Sequence, residues 1–282
     1  MWKAKLALGT NEQFKIPVKE QIKLFHKTGF EGFFTDWSED EDIAPYRQLA
    51  NELGMAYQSI HAPFGKAADF WEDSDKANIA VDELIKCVHS CADNDVPIMV
   101  AHVIIGFDKH SPNEVGVKNY EKVVKEAVKC GVKVAFENTE GEEYLDAVMK
   151  GLSGYDNVGF CWDTGHEMCY NHSKDMPALY GDRLIATHLN DNLGIKNYNG
   201  EITWIDDLHL LPFDGIADWE GIAKRLNNHG FNDILTFELN KESKPDRAEN
   251  NVYTKMPIEE YIAEAYKHAC RFAALKERLA QH

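Results

Sequence analysis

The chain has 282 residues, 44% of them hydrophobic and 27% charged, enough for one large domain or two small ones. Its 47 acids against 30 bases give a net charge of −17, which weighs against a nucleic-acid substrate unless divalent metals locally reverse the sign. No apolar run reaches the roughly 18 residues of a membrane span, and the opening Met1-Trp-Lys-Ala-Lys-Leu-Ala-Leu8 breaks off at Gly9 without forming a secretory leader.

A cytoplasmic protein without membrane association is therefore expected. The six cysteines (Cys87, Cys91, Cys130, Cys161, Cys169 and Cys270) are scattered, mostly in apolar segments, with no CxxC pair, so reduced thiols are expected rather than disulfides.

Short strand-like runs alternate with longer amphipathic ones. Residues 5–9 read as a first strand and 18–28 as a helix closed by Gly29; 32–35 is the second strand, and 44–53 a helix stopped by Gly54. Residues 57–61 form the third strand, and 75–94 a long helix with Ser74 as N-cap. The pattern continues with a strand at 98–102 and a helix at 112–130, then a strand at 132–137 and a helix at 142–150. A sixth strand at 158–163 precedes a short helix at 177–180, and a seventh at 184–188 leads through a long loop to a helix at 219–229. An eighth strand at 234–238 and a terminal helix at 258–279 complete the series. The polar stretch 241–251 reads as a mobile loop over one face.

Eight strand–helix units in one domain spanning 1–282 predict an α/β fold, a single (β/α)8 TIM barrel with its active site at the C-terminal mouth of the strands. The strands are continuously apolar, as strands buried on both faces must be. A doubly wound open sheet would carry a Gly-rich phosphate turn after an early strand, and neither GxGxxG nor GxxxxGK occurs.

Each strand from the third to the eighth is apolar and then ends in a candidate ligand: His61, His102, Glu137, Asp163, His188 and Glu238. The loop pair Asp207 and His209 could reach over the same mouth, and His166 follows Asp163 by three residues. Alone, such a histidine is an ordinary structural side chain, and such a carboxylate is an ordinary helix cap. Burying the whole set in one region would be very costly without counter-charge, which metal ions supply. Imidazole plus carboxylate suits Zn²⁺, Mn²⁺, Co²⁺ or Fe²⁺, and Mg²⁺ less well.

The strand ends Phe136-Glu-Asn138, Trp162-Asp-Thr-Gly-His166, Thr187-His-Leu-Asn-Asp191 and Phe237-Glu238 resemble those of the xylose-isomerase-like superfamily of TIM barrels. That superfamily holds sugar and sugar-phosphate isomerases and epimerases, inosose dehydratases and class II apurinic/apyrimidinic endonucleases. For the ketose 3-epimerase branch, the resemblance implies one metal on Glu137, Asp163, His188 and Glu238. It also implies that Glu137 and Glu238 transfer protons on opposite faces of a metal-stabilised enediolate. By spacing, Glu143 matches a further family glutamate, and could equally be a solvated residue of a helical first turn. For the endonuclease branch, His61, His102, His166, Asp207 and His209 match the ligands of additional zinc ions, as in a zinc phosphodiesterase acting on abasic DNA.

The net charge, and six arginines that all lie outside the strand-end motifs, favour the isomerase or epimerase branch. So does the run Asp207-Leu-His-Leu-Leu-Pro-Phe-Asp-Gly215 through Trp219, which is similar to that of many relatives of this branch, with Phe213 where glycine is usual. The expected partner is a small carbohydrate substrate, slightly preferred unphosphorylated for want of an arginine clamp. Lys66, Lys109 and Lys196 in mouth loops keep a sugar phosphate open. The aromatics Trp37, Phe64, Phe70, Trp71, Phe107 and Trp204 could stack on a sugar or simply pack in the core, with Phe64 and Trp71 the foremost candidates. Superfamily members are often dimers or tetramers; the sequence gives no sign of its own that this chain is a homo-oligomer.

Overall fold

The computed structural model describes residues 2–107, 111–195 and 201–281. Its eight strands are β1 (Leu6–Gly9), β2 (Gly32–Asp36), β3 (Ala56–His61), β4 (Ile98–Ala101), β5 (Lys133–Glu137), β6 (Val158–Asp163), β7 (Leu184–His188) and β8 (Leu235–Phe237). They pair in the order β7-β6-β5-β4-β3-β2-β1-β8, every ladder parallel. At the seam between β7 and β8 a parallel bridge joins Leu189 to Phe237. There the Leu189 amide donates to the Thr236 carbonyl at 2.8 Å and the Glu238 amide to the Leu189 carbonyl at 3.3 Å. The result is a nearly closed TIM barrel, as the alternation of elements predicts.

The helices are α1 (Val18–Thr28), α2 (Ala44–Leu53), α3 (Asp75–Asp93), α4 (Glu114–Cys130), α5 (Glu142–Gly151), α6 (Thr164–Cys169), α7 (Met176–Tyr180), α8 (Trp219–Asn228), α9 (Asn251–Thr254) and α10 (Ile258–Leu279). Their ends follow local chemistry. Ser74 caps α3 by accepting from the Ala77 amide, and Asn113 caps α4 by accepting from Gly116, so α4 begins two residues later than Pro112. Gly131 closes α4 at φ 72°, a left-handed conformation that costs glycine nothing.

Two segments differ from expectation. Helix α6 follows β6 directly, too short at six residues to show an amphipathic period. Residues 241–250 are a loop, with Asn251 opening α9, and the loop is tied down by side chains. Lys241 Nζ donates to the Thr254 carbonyl and Asn250 Nδ2 to the Asn240 carbonyl, both at 2.9 Å.

The barrel interior is a small apolar cluster of Ile98 and Val100 from β4, Ala135 from β5, Cys161 from β6 and Ala186 from β7. A much larger cluster fills the space between strands and helices. All six cysteines are free thiols, four of them buried.

Candidate metal centre

The interior cluster explains where the functional side chains point. Side chains in a strand alternate faces with a period of two. Stepping two residues beyond Val100, Ala135, Cys161 and Ala186 gives His102, Glu137, Asp163 and His188, so the face that fills the barrel floor presents these groups at its mouth. The same step on the neighbouring strands leads from Ser59 to His61 and from Thr236 to Glu238. Eight of the nine predicted metal or second-site residues meet the group through at least one contact of 3.5 Å or less, and Asp163 meets His166 through its backbone amide.

Glu137 is the hub and is wholly buried. Its Oε1 lies 2.9 Å from His188 Nδ1, and its Oε2 lies 3.3 Å from Nε2 of both His61 and His102 without hydrogen-bond geometry to either. Glu238 closes the ring from β8, its Oε2 3.1 Å from the same His188 Nδ1, with 27% of its side chain exposed to the mouth. The His188 ring is held flat against Phe34, centroids 4.7 Å apart.

Asp163 is also fully buried. Its Oδ1 caps α6 by accepting from the His166 amide at 2.6 Å, and its Oδ2 accepts from Asn190 Nδ2 at 2.8 Å. His166 turns its Nδ1 to the Asn138 carbonyl at 2.9 Å, so its Nε2 faces Asp207 Oδ2 at 3.5 Å. Asp207 Oδ2 also meets His209 Nε2 at 2.9 Å.

The charges are strongly coupled. Burial pushes the Glu137 carboxyl up, but His188, His102 and His61 outweigh it and hold it well below the usual carboxylate range. Burial is likewise outweighed at Glu238, held at about 2 by His188 and His209. Asp163 goes the other way, raised to about 6 by burial against the pull of His166 and His209. Burial pulls His209 down, yet Asp207 and Glu238 lift it to about 9. Of the two imidazoles on Glu137 Oε2, His61 is raised by that carboxylate against burial, whereas burial prevails at His102 and lowers it.

These residues fit a divalent cation. Donor atoms from Glu137, Asp163, His188 and Glu238 lie within 4.8 Å of one another; so do those of His61, Glu137 and His188, and those of Asp163, His166 and His209. Glu137 Oε2 and Asp207 Oδ1 are buried oxygens without a hydrogen-bond partner, an expensive arrangement for an anion that a cation would relieve.

The aromatic candidates divide. Phe64 is 41% exposed and stacks on His102, centroids 4.6 Å apart, so it lines the mouth. Trp71 does not: it is buried, its Nε1 donates to the Val103 carbonyl at 2.8 Å, and its ring packs against Tyr144 and over Gly116. These contacts describe the packing role that the sequence left open beside substrate stacking. Trp37 and Phe70 are also buried, whereas Phe107 and Trp204 are exposed.

Glu143 is exposed and borders a cleft of about 840 Å³ beside the mouth, with Phe107, Glu140 and Tyr170. Tyr170 is the shared wall, its ring 4.9 Å from that of His166. Lys66 is engaged by Glu83, and Lys109 and Lys196 lie outside the described residues.

The roles of several supporting residues escaped the sequence reading. Asn138 accepts from the Asp163 amide through Oδ1 and donates through Nδ2 to the Asp163 carbonyl, both at 2.9 Å. Asn190 orients the Asp163 carboxylate, and Lys244 Nζ, held over the Trp204 ring, lies 3.9 Å from Asp207 Oδ2. Asp191, part of the quoted motif, faces away from the centre. It gathers the Phe213 and Ala217 amides at 2.9 Å and the Trp219 indole at 2.7 Å, fixing the loop from Phe213 to Trp219. In that loop Phe213 adopts φ 75° where glycine is usual, its ring held between Trp219 and the Arg271 guanidinium.

Residues 20–270 match the family model described as xylose isomerase-like TIM barrel. The chain is 29% identical over 231 residues, 71% of each protein, to the uncharacterized protein y4fM of Sinorhizobium fredii. Among solved structures it is similar to an IolI protein with a bound zinc atom, at TM-score 0.74 and 20% identity, covering 95% of this chain and 98% of that one. It is also similar to an L-ribulose 3-epimerase, at TM-score 0.72 and 14% identity, covering 99% and 97% respectively.

Proposed function

The chain belongs to the xylose isomerase-like TIM barrel family, and from that premise we propose that it is a metal-dependent isomerase or epimerase of a small, unphosphorylated sugar or polyol. The observation that carries this reading is the convergence of two carboxylates on one imidazole nitrogen, Glu137 at 2.9 Å and Glu238 at 3.1 Å from His188 Nδ1. Asp163 completes the set that would hold the cation. Bound there, a divalent cation would polarise a substrate carbonyl and offset the oxygen charge that builds as the adjacent C–H proton leaves.

The chain's own groups do the rest. Glu238, the carboxylate open to the mouth, takes the proton from one face of the substrate carbon, and Glu137 serves the other face. His188 and His209 keep Glu238 ionised, and His61, His102 and His188 do the same for Glu137. Phe64 covers His102 and offers an apolar face to a sugar ring.

The preference for an uncharged substrate rests on the surroundings. Among the described residues, Lys244 is the lysine or arginine that comes within 4 Å of a carboxylate of the centre, and no arginine does. The adjoining cleft is lined by Glu140, Glu142, Glu143 and Glu201 against Lys174. A phosphate would meet a field of its own sign.

A second reading is favoured by one specific arrangement. His61 and His102 flank Glu137 Oε2 equally, and His166 and His209 flank Asp207 Oδ2. Each trio could hold a further cation, as a zinc phosphodiesterase on abasic DNA would require. Metal analysis of the purified protein together with a nicking assay separates the two. One tightly held cation per chain and no nicking of abasic DNA is the expected result; three zinc ions with nicking would replace the isomerase reading by the hydrolytic one.

A further inference from the structure

A separate set of metal-binding side chains converges on the outer surface, where α3 and α4 lie side by side. His89 Nε2 is 3.1 Å from Glu126 Oε1, and these atoms and the Cys130 thiol all lie within 4.8 Å of one another.

The register of the two helices produces this arrangement. Each follows a strand of the same parallel barrel, so they run in the same direction. His89 and Asp93 stand four residues apart on α3, and Glu126 and Cys130 four apart on α4, each pair on one helix face. His89 sits level with Glu126, and Cys130 follows one turn further along α4. The thiol registers this company: burial pushes it up, and the carboxylates of Glu126 and Asp93 push it further. Lys129 holds the other oxygen of Glu126, Oε2, at 2.6 Å, which leaves Oε1 directed at His89 and the thiol.

We propose that His89, Glu126 and Cys130 form a superficial site for a borderline divalent cation such as Zn²⁺ that staples α3 to α4. Three donors mixing imidazole, carboxylate and thiolate, with water in a fourth position, match the tetrahedral preference of zinc, and a thiolate selects against Mg²⁺ and Ca²⁺. Binding converts the Cys130 thiol to a thiolate and releases its proton to solvent, so the site fills more readily as pH rises. It is distinct from the mouth in place and in donor set: among the described residues, the candidate ligand groups at the mouth include no cysteine, although the Cys161 thiol lies against His188 below them.

That difference gives a direct assay. The chelator-stripped protein is titrated with Co²⁺, and the near-ultraviolet thiolate-to-cobalt charge-transfer absorption is followed. The band is expected to appear and to saturate with an amplitude of one thiolate-bound Co²⁺ per chain, in addition to the Co²⁺ taken up by the mouth without such a band. Cys130→Ser removes it, while His89→Ala, a change at an exposed position, weakens the Co²⁺ affinity of this site about tenfold or more. Absence of the band at saturating Co²⁺, or a band that persists in Cys130→Ser or keeps full affinity in His89→Ala, overturns the proposal. Glu126 would then be only the ion-pair partner of Lys129 and His89.

Discussion

Asn190 occupies the space that a side chain on Gly165 would need. A Cβ built on that glycine would lie 2.0 Å from Asn190 Oδ1, while Asn190 Nδ2 donates to Asp163 Oδ2 at 2.8 Å. The glycine of the Asp-Thr-Gly-His turn therefore lets an amide orient the carboxylate two residues before it.

Gly165→Ala must displace Asn190 and release Asp163, which is already raised to about 6 by burial. Losing such an orienting partner is expected to weaken metal binding by roughly 10- to 100-fold. Titration of the chelator-stripped variant with Zn²⁺, read by calorimetry, checks this. Unchanged affinity would mean that Asn190 has no part in setting the carboxylate.

Asp191 accepts from three backbone amides, those of Asn192, Phe213 and Ala217, and from one indole, so Asp191→Ala leaves four donors without this partner. At about 1 kcal/mol or more for each buried group left unpaired, a loss on the order of 4 kcal/mol is expected. Urea unfolding at neutral pH measures it. The metal stoichiometry of the folded fraction should not change, because Asp191 faces the loop from Phe213 to Trp219 rather than the centre. That loop also carries Phe213 at φ 75°, a strained position that the Asp191 contact helps to hold.

The metal-free protein should lose stability as pH rises from neutrality. His209 is raised to about 9 against an unfolded value of about 6.5, so the folded state holds the proton more tightly. Its contribution is complete below about pH 6.5 and is lost as pH climbs through 9, by on the order of 3 kcal/mol. Thermal melts of chelated protein between these limits should show a falling midpoint, and His209→Asn should flatten the slope. A midpoint that rises over that window would contradict the charge arrangement around Asp207 and Glu238.

Much of this was legible in the sequence because strands advertise their ends. An apolar run that stops at His61, His102, Glu137, Asp163, His188 or Glu238 needs only the period of two and a barrel topology to place its last side chain in the mouth. Asn138 and Asn190 lay inside the quoted motifs, but their roles were illegible because an asparagine that orients a neighbour leaves no periodic trace. Asp191 sat inside a motif and still proved to serve a loop, since spacing does not tell which way a residue beyond the strand end will turn. Trp71 stayed ambiguous for a related reason: a loop tryptophan reads the same whether it faces solvent or, as here, directs its indole at the Val103 carbonyl and Gly116.

The central claim is that Glu238 moves a substrate proton, and exchange with solvent tests it most directly. In D2O the metal-loaded protein is offered ketopentoses and ketohexoses, and deuterium at the carbon beside the carbonyl is read by NMR. The wild type is expected to incorporate deuterium into at least one of them. Glu238→Gln, with its metal content verified, is expected to slow that exchange by roughly 10²- to 10⁴-fold, the range general acid–base catalysis supplies. Exchange that continues undiminished in Glu238→Gln would contradict the account.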